Sequence, residues 1–193
     1  SADVQYHLGI ARYMMGEEES SVQALEHALQ LNPNFKGNEA AKNCLALLRL
    51  DAALIGADQR KIIEAALAEH PDDPIALYRQ AVIHEKAGKL DEAIAACQAV
   101  LQTNPTNVRV LLSLIRLHSA KGNSAQALEL AKNARKLAPE NAAVNLALGR
   151  LAFDSGDYTW SYSLMQEYSR RQPDDPEGLR GLARSAYSVG QVE

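Results

Sequence analysis

The 193-residue chain is poor in the residue types that sheets, disulfide frameworks and metal sites require. It has two cysteines, Cys44 and Cys97, which are too few for a disulfide framework and lack the spacing of metal ligands. Phe and Trp together number three, whereas Ala and Leu dominate, so the composition favours helices over strands. No run of 18 apolar residues occurs, which argues against direct insertion into a membrane.

Charge and motifs exclude further classes of protein. The chain has 24 Asp and Glu against 20 Lys and Arg, and this acidic balance argues against a nucleic-acid partner. No nucleophile elbow, phosphate-binding glycine loop or HExxH motif occurs, so we expect no catalytic residue, metal or cofactor. Because the chain begins with Ser1, we interpret it as a piece of a longer or processed protein. Its compartment stays open, with the cytoplasm slightly favoured over the periplasm.

Prolines and glycines recur at a fixed interval of 34 residues. The prolines are Pro71, Pro105, Pro139 and Pro173, and the glycines that follow each by 17 residues are Gly88, Gly122, Gly156 and Gly190. Apolar residues with helical spacing, such as Leu111, Leu114 and Ile115, precede the glycine, and a second helical pattern follows it. Connections this short join two helices into an antiparallel hairpin. Small residues at one repeat position, Ala93, Ala127 and Ser161, predict a close approach of the two helices.

This layout, together with Leu8-Gly9, Ala28, Ala81 and Leu148-Gly149 at matching positions, resembles the tetratricopeptide repeat family. The resemblance implies an all-α superhelix, or solenoid, of antiparallel helix hairpins, with about five repeats and a terminal helix. It predicts a single array over residues 1–193. The units would span residues 2–35, 36–73 (irregular), 74–107, 108–141, 142–175 and 176–193 (partial).

The second unit departs from the pattern. Pro33 and Pro71 are 38 residues apart, and the expected turn glycine, Gly56, is displaced. Four extra residues are about one helical turn, so we expect a first helix lengthened to about residues 38–54. The alternative is a looser joint between the first repeat and the rest.

In this family the first helices usually line a groove that holds a peptide or partner helix, so the resemblance implies a non-catalytic protein-binding scaffold. Positions 2, 5, 9 and 12 of each unit share the face opposite the packed positions. The predicted peptide-binding residues on this face are Tyr78, Arg109, Leu112, Arg116, Leu146, Arg150, Phe153, Arg180, Arg184 and Tyr187. The arginines suit an acidic segment, since their planar forks bind carboxylates bidentately. The alternative is pairing with local acids such as Glu85 and Glu177.

Other conspicuous residues have structural interpretations beside functional ones. Trp160 is a candidate for a second interface, or else lies across neighbouring side chains. His84 and His118 occupy a packing position, and Asp73 and Asp175 are expected to cap helices that begin with proline.

Three other functions stay open beside the peptide-binding scaffold. The chain would act as a substrate-selecting arm of a larger enzyme, as a helical-repeat RNA binder, or as a self-associating module. Self-association would use the open C-terminal end, where the half-finished repeat leaves an apolar helix face. The acidic total charge argues against the RNA binder.

Overall fold

The structure is a computed structural model that describes residues 1–50 and 56–190. Across these ranges the chain forms eleven α-helices and no strand, which confirms the predicted fold class. The helices are α1 (Ala2–Met15), α2 (Glu18–Leu31), α3 (Asn38–Leu48), α4 (Ala57–Glu69), α5 (Pro74–Lys86), α6 (Leu90–Thr103), α7 (Val108–Ala120), α8 (Ser124–Leu137), α9 (Ala142–Asp154), α10 (Tyr158–Arg171) and α11 (Pro176–Ser188).

The helix ends lie where the repeated glycines and prolines predict them. Gly122 follows α7 with φ 77°, a left-handed conformation that a residue with a Cβ rarely adopts, and the glycines in the same position of the other regular units share it. At the other end, Asp73 accepts hydrogen bonds from the backbone N–H groups of Ile75 and Ala76, and Asp175 accepts one from Gly178. The cap interpretation of both aspartates is therefore confirmed.

Small residues allow the two helices of a hairpin to pack closely. Ala93, Ala127 and Ser161 are completely buried, as their shared repeat position predicts. Ser161 Oγ donates a hydrogen bond to the carbonyl oxygen of Gly149 at 2.8 Å. A Cβ on Gly149 would lie 2.9 Å from Cε of Met165, so a side chain there would require the end of Met165 to move.

The chain divides into two compact units, residues 1–107 and 108–193. In the second unit α7 pairs with α8, α9 pairs with α10, and α11 packs on α9 and α10. Its core contains the fully buried Leu114, Leu148, Leu164 and Met165. The first helices of the three successive repeats, α7, α9 and α11, therefore lie side by side. The single array predicted over all 193 residues stays a prediction.

The first unit joins its first and third repeats directly. Helix α1 packs against α5 as well as α3, and Tyr13 Oη donates to the Asp73 carboxylate at 2.8 Å. Burial, followed by the charge of Asp73, raises the pKa of Tyr13, so its hydroxyl stays protonated as the donor. Nη2 of Arg79 donates to Oε2 of Glu18 at 2.7 Å. These contacts join α1 and α2 to α5 independently of the packing between α3 and α4.

The irregular repeat differs from its prediction. Helix α3 ends at Leu48 instead of continuing through residue 54, and residues 51–55 of that prediction lie outside the described residues. The backbone N–H of Leu50 bonds to the carbonyl of Leu47 in a tight turn that buries the Leu50 side chain, and this burial is the physical reason for the earlier end. Gly56 has φ −90° and precedes α4 as its N-cap, so it is not a left-handed turn glycine.

Candidate functional site

Nine of the ten residues predicted to bind peptide lie in the second unit, on α7, α9 and α11. The arginines at 109, 116, 150, 180 and 184 are all exposed, and we call the side of the three helices that carries them the arginine face. Leu112, Leu146 and Phe153 on the same helices are half-buried, and Tyr187 is 75% exposed. Tyr78, the tenth residue, is half-buried on α5 of the first unit and is not part of this face.

Side-chain contacts show that the predicted positions of α9 and α11 share one side. Arg150 on α9 forms an ion pair with Glu177 at the start of α11. The guanidinium carbon of Arg184 lies 4.4 Å from the centroid of the Phe153 ring. The Phe153 ring also contacts the Tyr158 ring, and their centroids are 5.0 Å apart. The Arg184 guanidinium therefore packs on an aromatic pair, in a geometry that permits a cation–π interaction with Phe153.

A cleft of about 260 Å³ opens between α9, α10 and α11, and both Arg150 and Arg184 line it. Phe153 and Met165 contribute apolar surface to it. Gly181 faces the cleft without a side chain, and a Cβ there would lie 2.7 Å from Sδ of Met165. The arrangement combines two cationic donors with a small apolar surface, and the Asp154 side chain also lines the cleft, so a ligand carboxylate here depends on the two guanidinium groups outweighing that acidic neighbour.

Sequence reasoning missed the contributions of Asp154, Ser161, Met165 and Gly181 to this cleft. It assigned Ser161 to hairpin packing, which is correct but incomplete. The helical period of α9 predicts which side of that helix faces outward, whereas the cleft depends on where three helices meet. Gly181, one of two glycines inside α11, was an available signal, because a glycine inside a helix often has a packing or functional reason.

The arginine face is a local concentration of positive charge in an acidic chain. Residues 108–193 contain 11 Lys and Arg against nine Asp and Glu, whereas residues 1–107 contain nine against 15. The pairing with Glu177 is the local alternative that the sequence left open for Arg150. Both side chains of that pair are about half exposed, at 50% and 44%, so a ligand carboxylate could replace Glu177 at a cost below about 1 kcal/mol.

The remaining candidates lie in structural surroundings. Trp160 is half-buried near the start of α10, and its role in a second interface stays a prediction. His118 is 7% exposed, as its packing position predicts. Burial raises the pKa of both the Cys44 and the Cys97 thiol to about 11, so both thiols are protonated and weakly nucleophilic at neutral pH.

Residues 1–50 and 56–190 contain neither a metal-binding cluster nor a membrane-spanning helix. No group of three or more His, Cys, Asp or Glu in these ranges is placed to hold a metal ion. None of the helices found there combines the length and the apolar character that crossing a bilayer demands.

Comparison with known proteins gives consistent results for most of the chain. Residues 2–35, 60–108 and 119–185 each match a sequence model described as a tetratricopeptide repeat. No curated protein has a significant sequence match.

Several solved structures resemble the whole chain. A thermophilic TPR protein of Thermus thermophilus matches with a TM-score of 0.56 and 18% identity, over 98% of this chain and 99% of that one. A tetratricopeptide repeat protein from Parabacteroides merdae has a TM-score of 0.61 and 18% identity, over 98% and 73%. Pseudomonas aeruginosa pilF has a TM-score of 0.64 and 18% identity, over 98% and 84%. At these identities the likeness concerns the fold alone.

Proposed function

Because the chain belongs to the tetratricopeptide repeat family, whose fold generally mediates protein–protein interaction, we propose that its arginine face binds a segment of another protein that carries acidic side chains. The observation that carries the proposal is the exposure of five arginines along three adjacent first helices. Stability does not require them there, because exposed ion pairs contribute only about 0–1 kcal/mol each.

Arg184 is the arginine whose side chain is best preorganised to bind a carboxylate. Its guanidinium rests on the Phe153 ring, and Phe153 in turn contacts Tyr158. A guanidinium stacked on a ring keeps its N–H edges available to a carboxylate in its own plane. Since the stacked side chain has already lost part of its rotational freedom, it loses less on binding.

The spacing of the helices predicts the spacing of acidic groups in the ligand. Neighbouring packed helices are about 8–10 Å apart, and an extended chain rises about 3.3 Å per residue. Arg116, Arg150 and Arg184 would therefore meet an acidic side chain at roughly every third residue of an extended ligand. A helical segment with acids on one face is the other form that fits. The expected affinity is micromolar, about −8 kcal/mol.

The test compares two triple charge reversals with the same change in net charge. One replaces Arg116, Arg150 and Arg184 by Glu, and the control replaces Lys121, Lys136 and Arg170, basic residues that are exposed elsewhere in the second unit. The probe is a fluorescein-labelled peptide with Glu at every third position, measured by fluorescence anisotropy after circular dichroism has verified the fold.

We expect the arginine variant to weaken binding at least tenfold, or about 1.4 kcal/mol, and the control to change it less than about threefold. Equal weakening by both variants would mean that only net charge matters, and unchanged binding by the arginine variant would contradict the proposal directly. Self-association through α11 and a role as the repeat arm of an enzyme stay predictions.

A further inference from the structure

A cleft with apolar walls lies in the first unit, between α3 and α4, and has a volume of about 520 Å³. Its walls include Ala46 and Leu47 from α3, and Ile62, Ala65 and Ala66 from α4. In three regular hairpins, the small residue where the two helices meet is completely buried, as at Ser161. Here Ala46 and Ala65 are exposed, and Ile62 is 39% exposed. The irregular repeat therefore leaves an apolar surface between its helices.

The fold of the first unit does not depend on close packing of α3 against α4 across this cleft. The Tyr13–Asp73 hydrogen bond and the Arg79–Glu18 ion pair already join the first repeat to α5. Because these contacts bypass the packing of α3 on α4, the two helices can stay apart without separating the repeats on either side. An open cleft between α3 and α4 is therefore compatible with the folded first unit.

The charged residues that line the cleft are acidic, and one of them is paired with a lysine beside the cleft. Glu39, Glu69 and Asp73 line it, and none of the lining residues in the described part of the chain is Lys or Arg. Glu39 has Lys42 beside it at 2.7 Å, and Asp73 accepts the Tyr13 hydrogen bond, whereas the side chain of Glu69 is 69% exposed beside that of His70. The first unit as a whole contains 15 Asp and Glu against nine Lys and Arg. The complementary ligand therefore has apolar side chains flanked by positive charge.

We propose that the α3–α4 cleft docks a basic amphipathic helix of a partner protein, with its apolar side chains between α3 and α4 and its Lys or Arg residues near Glu39 and Glu69. This mode of recognition places the apolar stripe of a helix in a groove between helices. The Cys44 thiol, which also lines the cleft, stays uncharged at neutral pH and belongs to the apolar wall. The proposal does not depend on the arginine face, whose expected ligand has the opposite charge.

The probe for this site is a synthetic peptide of about 15 residues, with leucines on one helical face and lysines on the others. Its matched control has Glu at every Lys position. Isothermal titration should show that the lysine peptide binds at least about tenfold more tightly than the glutamate peptide. Equal binding of the two peptides would overturn the charge complementarity on which the proposal depends.

A blocking substitution tests whether the peptide occupies the cleft. Ala65→Trp places a large ring over the opening and should weaken binding of the lysine peptide at least about tenfold. Ala125→Trp, at an exposed position of α8 in the second unit, is the matched control and should leave binding unchanged. Equal affinities of the two tryptophan variants would overturn the assignment of the site.

Two further variants keep the result interpretable. Ile62→Ser removes apolar surface from an exposed position and should weaken binding even if Ala65→Trp does not fold; unchanged binding by a folded Ile62→Ser protein would also overturn the site. The triple arginine variant described above should bind the lysine peptide as the wild type does. Failure of one binding site is thereby distinguished from failure of the other.

Discussion

The buried ion pair between Glu18 and Arg79 should contribute much more to stability than the surface pair between Glu26 and Arg49. Both pairs have a closest N–O distance of 2.7 Å. The side chains of Arg79 and Glu18 are 3% and 18% exposed, whereas those of Arg49 and Glu26 are 63% and 40% exposed. Distance is therefore matched between the two pairs, and burial is the variable.

The expected loss of stability depends on whether a substitution leaves the other charge of the pair buried or exposed. Removing one member of a buried pair costs about 3–5 kcal/mol because the other charge stays in a poorly solvated place, whereas exposed pairs contribute about 0–1 kcal/mol. Nε and Nη1 of Arg79 are buried without a hydrogen-bond partner in the described structure, so water offers that guanidinium little compensation. Since Glu18 retains some exposure, we expect Glu18→Gln to cost about 3 kcal/mol, and Glu26→Gln less than about 1 kcal/mol.

Urea unfolding followed by circular dichroism measures both changes, and hydrogen exchange should locate the loss caused by Glu18→Gln in α2 and α5. Glu18 also lies in the first turn of α2, where a negative charge interacts favourably with the helix dipole. Glu19→Gln, at an exposed position of the same turn, measures that contribution alone. Combining Glu18→Gln with Arg79→Met should restore most of the lost stability, because no charge is then left buried. Similar losses for the variants at 18, 19 and 26 would refute the argument from burial.

Two further predictions concern a helix glycine and a buried thiol. Gly178→Ala should destabilise the fold by about 1–3 kcal/mol, although alanine ordinarily favours helices, because the new Cβ would lie 2.2 Å from Cε1 of Tyr168; a raised melting temperature would contradict this. Burial raises the pKa of the Cys97 thiol from 9.0 to about 11, so the unfolded chain loses this proton first and stability should fall between about pH 9 and 11. Cys97→Ala should remove up to about 3 kcal/mol of that decline, and an unchanged pH dependence of the urea midpoint would refute the assignment.

The regular repeats could be predicted from the sequence because local requirements determine them. A left-handed backbone at Gly122 needs glycine, and a helix that begins with Pro176 needs a cap such as Asp175. The packing of α9 on α10 likewise needs small residues where Gly149 and Ser161 meet. Each requirement concerns residues within one 34-residue unit, and each therefore leaves a periodic mark in the sequence.

The irregular repeat could not be predicted in the same way, because long-range partners determine it. Asp175 accepts a hydrogen bond from Tyr168, seven residues earlier in α10. The residue seven positions before Asp73 is Ala66, which has no hydroxyl, and Tyr13 from α1 supplies the hydrogen bond instead. Spacing alone extended α3 by one turn, whereas the burial of Leu50 ended it early. The contact between the first and third repeats therefore has no periodic signal.

The candidate site lies between these two cases. Repeat spacing predicted that Arg150 and Arg184 occupy equivalent exposed positions, but not that their surroundings differ. Arg150 has the carboxylate of Glu177 beside it, whereas Arg184 rests on the Phe153 ring. A ligand carboxylate must compete with Glu177 for Arg150. At Arg184 the neighbouring group is an uncharged ring, which does not compete for the guanidinium N–H groups. Equivalent repeat positions therefore need not contribute equally to binding. The free energy that a ligand carboxylate gains from each arginine depends on the side chain that the arginine already contacts.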